Sequence, residues 1–225
     1  MCSHYESVRD RQILKRHFQL DDVPEDAKWD IWPGYMGPFI RRHEFADVGD
    51  DAVPKREALL GSFGLIPHWA TDTKIARQTY NARTETVATK PSYRDVWKKA
   101  HHCIIPADGI YEPDWRSGKA VATRISRADG EPMGIAGLWS WWKSPAGEVL
   151  HSFTMLTVNA DKHSLMKQFH KPHDEKRMVA ILSEDRYDDW LRADAQHSTD
   201  FLNLYPAEAL KAEAPPSRIG SLFTD

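Results

Sequence analysis

The chain has 225 residues, of which 28% are charged and 41% hydrophobic, and its formal net charge is −3. This length allows one large domain or two small ones with a sizeable core, and the near-neutral charge excludes a surface that coats polyanions, so a nucleic-acid site has to be a local basic groove. Two cysteines are too few for a disulfide framework, no apolar leader opens the chain, and no run approaches the about 18 apolar residues of a membrane span, which points to a reducing cytoplasm and no membrane partner.

The chain opens MCSHYES. Removal of Met1, which a small second residue permits, leaves Cys2 with an α-amine and a thiol on adjacent carbons; the plain alternative is a cysteine at a frayed end. Residues 6–18 have helical character, and residues 21–57, rich in Pro, Gly and Asp, read as loops with short extended pieces. A strand over 59–67 runs into a turn. Pro91 begins a helix over 91–100 with Val96 and Trp97 on its inner face. Strands follow at 102–112, 120–126, 133–142 and 149–158, separated by the turn sequences RSGK, RADGEP and SPAGE. Residues 160–169 read as a helix and 177–182 as a strand. Ser183 is an N-cap for EDRYDDWL, with Glu184 and Asp185 in the first turn. The pattern predicts an α+β domain over 1–212 with a strongly curved, mostly antiparallel sheet or open barrel core and flanking helices, followed by a loose tail over 213–225.

Four stretches carry residues suited to chemistry: NARTET (81–86), ADGIYEP (107–113), FTMLTVNA (153–160) and MKQFHKPHDEKRM (166–178). Each has a plain reading. Asn81 suits a turn or cap, Glu112 a solvated strand end, and His170 a structural helix end. His170 and His173 with Asp174 and Glu175 suggest a metal tract, but Pro172 breaks the shared helix face that paired ligands use. In His101-His102-Cys103, neighbouring strand residues point to opposite faces. No metal or cofactor is expected.

Met1-Cys2, NAR-x-ET at 81–86, P-A-D-G-x-Y-E at 106–112 and LM-x-x-F-H followed by K-R-M at 165–178 resemble, in that order, the SRAP (SOS-response-associated peptidase) family of abasic-site-processing proteins. The resemblance runs from Cys2 to about Trp190. It implies the SRAP fold with a positively charged cleft, Cys2 as the mature N-terminal nucleophile, and Asn81, Glu112 and His170 as the polar residues around it. It implies phosphate contacts from Arg83 and Arg177, a stacking Trp at Trp69, and a DNA-binding surface that takes in His4 and Lys171. There are departures. The family usually begins Cys-Gly-Arg-Phe, and here His4 replaces an arginine that helps hold DNA. Pro113 stands where an aromatic residue commonly follows the Glu. The KPHDE loop is longer than usual, which leaves His173 as a second-choice imidazole.

An aminothiol suits the ring-opened aldehyde of an abasic site: the amine adds to form an imine, and the thiol closes a five-membered thiazolidine. The expected function is a covalent cross-link between Cys2 and an abasic site in single-stranded DNA, made by a monomer, with Glu112 as general acid/base. Two alternatives use the same residues: an N-terminal-nucleophile cysteine peptidase or amidohydrolase, including self-removal of Met1, and a non-catalytic single-stranded nucleic-acid-binding module.

Overall fold

The computed structural model describes residues 2–214. The described residues contain twelve strands: β1 Tyr5–Ser7, β2 Asp30–Ile31, β3 Met36–Arg42, β4 Arg56–Phe63, β5 Asn81–Arg83, β6 His102–Asp114, β7 Val121–Arg127, β8 Met133–Lys143, β9 Val149–Asn159, β10 Arg177–Val179, β11 Ile181–Leu182 and β12 Leu210–Glu213. Three short helices accompany them: α1 Arg11–Phe18, α2 Arg94–Lys98 and α3 Tyr187–Arg192.

Five strands form the core. β3 pairs with β4, β4 with β9, β9 with β8, β8 with β6, and β6 returns to β3. The ring is closed, so the predicted curved sheet is a closed five-stranded barrel within an α+β fold. All of its ladders are antiparallel except β4–β9. A barrel this narrow is filled by side chains. Here the filling includes a run of touching rings: Tyr5 meets Phe63 edge-on, Phe63 stacks on Phe153, and Phe153 tilts against Phe39. All four are fully buried, and each contributes roughly 1.5–3 kcal/mol of apolar transfer.

Strand β6 is long enough to serve two sheets. Its first half, His102–Ala107, pairs with β8 inside the barrel. Its second half, Ile110–Asp114, leaves the barrel to pair with β7, while β1 lies along its other edge. Strands β5 and β10 both pair with β9. These additions gather the N-terminus, the 81–83 stretch and the 170–177 loop at one end.

Strands β6 to β9 match the sequence reading to within a few residues, whereas barrel strand β3 lies in the stretch read as loops with short extended pieces, β4 begins and ends before its expected place, and the helices do not match. The helix expected over 6–18 starts at Arg11, because Glu6 and Ser7 pair with β6 and the Asp10 carboxylate caps the backbone N–H groups of Gln12 and Ile13. It ends at Gln19, which takes a left-handed φ of 54°. The helix expected over 91–100 is confined to α2. Residues 160–169 form turns and a single 3-10 stretch at Met166–Gln168, since the His163 ring accepts the Met166 N–H and bonds the Tyr205 carbonyl. The 177–182 strand is broken at Ala180, where its N–H donates to Leu156 on β9 and its carbonyl accepts from Ala136 on β8. Ser183 makes no side-chain cap. Glu213, placed in the tail by the sequence, pairs with Arg124 in β12–β7, and residues 215–225 of that tail lie outside the described residues.

Gly64 closes β4 with φ +118°, and a Cβ there would collide with the Ala76 carbonyl. Gly64→Ala is expected to cost about 3 kcal/mol or more. Chemical denaturation followed by tryptophan fluorescence measures it; an unchanged midpoint would contradict the placement of this turn.

Candidate active site

The site begins with a register. Strand β1 runs antiparallel to β6 with Tyr5 opposite Ile110. Carried back three residues from Tyr5 and forward three from Ile110, the same register sets Cys2 beside Pro113 and Glu112. The Tyr111 N–H donates to the His4 carbonyl at 2.9 Å and locks that alignment. The Cys2 thiol donates to the same carbonyl, with Sγ 3.3 Å from the oxygen.

Asn81, Glu112 and His170 come from different elements, the first two at Cys2 and the third against Glu112. Asn81 opens β5, whose parallel pairing with β9 places it opposite Met155. Its Nδ2 donates to the Cys2 carbonyl at 2.6 Å, and its own carbonyl accepts from the Tyr93 hydroxyl at 3.0 Å. Asn81 Oδ1 is buried and accepts no hydrogen bond among the described residues. Glu112, 1% exposed, lies on the half of β6 that leaves the barrel. His170 follows the 3-10 stretch and takes a left-handed φ of 64°. Its N–H donates to the Pro113 carbonyl at 2.9 Å, and its Nε2 lies 2.9 Å from Glu112 Oε2. The strand that carries the acid thus holds the loop that carries the imidazole.

The electrostatics keep the proton on sulfur. Burial pushes the Cys2 thiol well above its ordinary pKa, and the Glu112 carboxylate adds to the rise; backbone hydrogen bonding at His4 and Tyr111 opposes it only partly. Burial and the nearby Cys2 and Glu112 likewise raise the Tyr80 hydroxyl. His102 is held well away from the site, stacked on Trp190 and bonded to its carbonyl, and burial lowers its pKa to about 4. Among the described residues no group of three His, Cys, Asp or Glu is arranged to hold a metal.

The residues expected at DNA fall in several places. Arg83 is half exposed and pairs with Glu175 at 2.9 Å. It lines an open pocket of about 320 Å³ together with Asn81, Lys90 and Tyr93. Arg177 is 1% exposed. Its guanidinium grips Glu85 with both ends of the fork, at 2.8 and 2.9 Å, and also bonds Glu175 and the Thr157 carbonyl. It therefore acts inside the protein as a strut between β10, β9 and the 84–87 turn. His4 does not present its ring to solvent either; Trp32 and Tyr111 cover its two faces, and Asp30 holds its Nε2. Trp69 is half exposed on the loop after Pro67, and the Trp142 indole anchors that loop through the Ala70 carbonyl. Lys171 is exposed beside the Trp115 ring. His173 lies on the exposed part of the same loop. A larger pocket of about 380 Å³ is lined by Asp21, Asp22, Glu25 and Glu57 and includes none of these residues.

The SRAP family model, described as SOS response associated peptidase, matches residues 1–222. The chain belongs to the SRAP family. Among its SRAP relatives, the Bacillus subtilis abasic site processing protein YoqW is 33% identical over 163 residues, covering 71% of this chain and 69% of YoqW. The chicken abasic site processing protein HMCES is 29% identical over 240 residues; the match covers 95% of this chain and 66% of HMCES, about two thirds of that longer protein. A crystal structure of a Bordetella bronchiseptica protein is 47% identical and superimposes with a TM-score of 0.85 over 95% of this chain and 99% of the other. No helix among the described residues is long and apolar enough to cross a membrane.

Arg177→Ala removes charged hydrogen bonds to Glu85, Glu175 and Thr157. The loss is expected to be about 2–3 kcal/mol of stability, read from urea denaturation. Wild-type stability in this variant would return Arg177 to the set of residues free to hold a ligand.

Proposed function

We propose that this protein processes abasic sites in single-stranded DNA by forming a thiazolidine between the Cys2 aminothiol and the ring-opened sugar, after Met1 is removed. The observation that carries the reading is that Asn81 bonds the Cys2 carbonyl, the Glu112 carboxylate acts on the Cys2 thiol, and His170 pairs with Glu112, each from a separate element. The family and the names of its relatives support it, and so does the paired placement of Arg83 and Lys90 in the pocket beside Asn81.

The chemistry follows from the protonation state. A buried thiol beside a carboxylate is a poor first nucleophile, so the sequence begins at nitrogen. The α-amine attacks the C1′ aldehyde and forms a carbinolamine. The carbinolamine hydroxyl takes a proton and leaves as water, and an imine remains. Sulfur then bonds to the same carbon, its proton passes to nitrogen, and the five-membered ring closes. One water is lost overall. Glu112 gives the proton to the departing hydroxyl and hands the sulfur proton on to nitrogen, and His170, 2.9 Å from Glu112, relays protons to and from it. Asn81 holds the Cys2 carbonyl through Nδ2 and offers Oδ1 as an acceptor for the α-amine or a sugar hydroxyl. Arg83 and Lys90 meet phosphates, and Trp69 stacks on a base.

The peptidase reading of the same residues needs a thiolate that attacks an amide. The raised thiol disfavours a thiolate as the resting state, and the cross-linking reading is therefore preferred. Glu112→Gln keeps the shape of the side chain and removes its titration. Cross-linking to an abasic oligonucleotide, followed by denaturing electrophoresis, is expected to slow about 10²–10⁴-fold in Glu112→Gln and to vanish in Cys2→Ala. An undiminished covalent band from Cys2→Ala would refute the assignment.

A further inference from the structure

Three flat rings form a column beside the candidate site. His4 lies between Tyr111 and Trp32, with centroid separations of 4.2 and 4.1 Å and interplanar angles of 8° and 12°. The column is fixed from both ends. Tyr111 precedes Glu112, and its hydroxyl donates to Glu6 at 2.6 Å; Arg124 holds the other oxygen of that carboxylate. At the outer end, Asp30 orients two rings at once. Its Oδ1 lies 2.5 Å from His4 Nε2, and its Oδ2 accepts from the Trp32 indole N–H at 3.3 Å.

The Trp32 backbone is equally well held. Its carbonyl accepts the Tyr35 N–H at 2.8 Å, the Gly34 N–H donates to the Phe63 carbonyl at 2.6 Å, and the Phe63 N–H donates to the Tyr35 carbonyl at 2.8 Å. The turn is thereby sewn to barrel strand β4. Yet Trp32 remains 42% exposed. Among the described residues its only ring neighbour is His4, so one indole face is covered and the other is open. The Asp30 carboxylate sits at the indole edge, where the ring N–H is, and leaves the open face clear.

A bare, oriented aromatic face suits a flat aromatic partner. A nucleobase continues such a column at the same spacing, and an already ordered side chain loses little freedom in receiving it. The location agrees. Cys2 and His4 are two residues apart, at most about 7 Å along an extended chain, and the Cys2 thiol bonds the His4 carbonyl. The same segment brings two cations, Arg9 over the Trp29 ring and Lys28 over the Tyr35 ring, which suit a phosphate backbone.

We propose that the open face of Trp32 is a nucleobase-stacking platform that receives a base within two nucleotides of the abasic site. It rests on the proposed function and adds a second grip on the strand, distinct from Trp69.

The test uses the full chain and single-stranded oligonucleotides with one abasic site. In one series 2-aminopurine occupies each neighbouring position in turn; in a second, the neighbouring bases are replaced by tetrahydrofuran spacers, which have no ring system to stack. Binding and cross-linking are measured for wild type, Trp32→Ala and Trp32→Phe. The expected result is quenching of 2-aminopurine at one neighbouring position by wild type and Trp32→Phe, with roughly tenfold weaker binding by Trp32→Ala that disappears on the spacer series. Trp32→Ala equal to wild type on both series, or equally impaired on both, overturns the proposal. Failure of wild type to cross-link any abasic oligonucleotide would refute the proposed function instead, while the quenching and binding comparisons would still decide the platform.

Discussion

The pairing of the first strand with the second half of β6 is the constraint on which the site depends. Tyr5 opposite Ile110 and the bond from the Tyr111 N–H to the His4 carbonyl leave the N-terminal residues one course, directly along Glu112. In an antiparallel ladder a slip of one residue turns every side chain to the other face. Tyr5 resists such a slip because its ring is fully buried against Phe63 in the barrel. The hydrophobic core and the position of Cys2 are therefore set by the same strand.

A second consequence concerns the acid and the imidazole. Glu112 is enclosed almost completely, and a buried carboxylate is costly unless charge or hydrogen bonds offset it. His170 stands 2.9 Å away, held there by a left-handed backbone conformation that a non-glycine residue adopts only under external constraint. The Pro113 carbonyl and the bridge between Asp114 and Phe169 supply that constraint. The departure of residue 113 from the aromatic residue common in the family does not disturb this anchor, because the anchor is a backbone carbonyl. Arg177 performs the matching task on the other side, where it ties Glu85 and Glu175 to β9, and Glu175 in turn pairs with Arg83 at the pocket.

The strands from 102 to 159 were legible because their length and apolar content outlast local ambiguity. The helices were not: 6–18 shares its first residues with a strand, and 160–169 is claimed by the bonds of His163. The types of residue at the site were legible from the motifs, but their partners were not. Asp30 and Trp32 lie 26 and 28 residues from His4, and Glu85 lies 92 from Arg177. Nothing in local spacing discloses that a histidine two positions after Cys2 sits inside a stack of rings, or that an arginine in a basic loop turns inward. Tyr93, which fixes the Asn81 carbonyl, and Lys90, which completes the pocket, were missed for the same reason.

The central claim is that nitrogen and sulfur of one residue both bond to the abasic carbon. Intact-mass and peptide-fragmentation measurements on the cross-linked product test it most directly. The chemistry requires an N-terminal peptide that begins at Cys2, carries the DNA remnant with loss of one water, and has neither a free amine nor a free thiol. An adduct on a lysine, or one on a chain that still carries Met1, would contradict it.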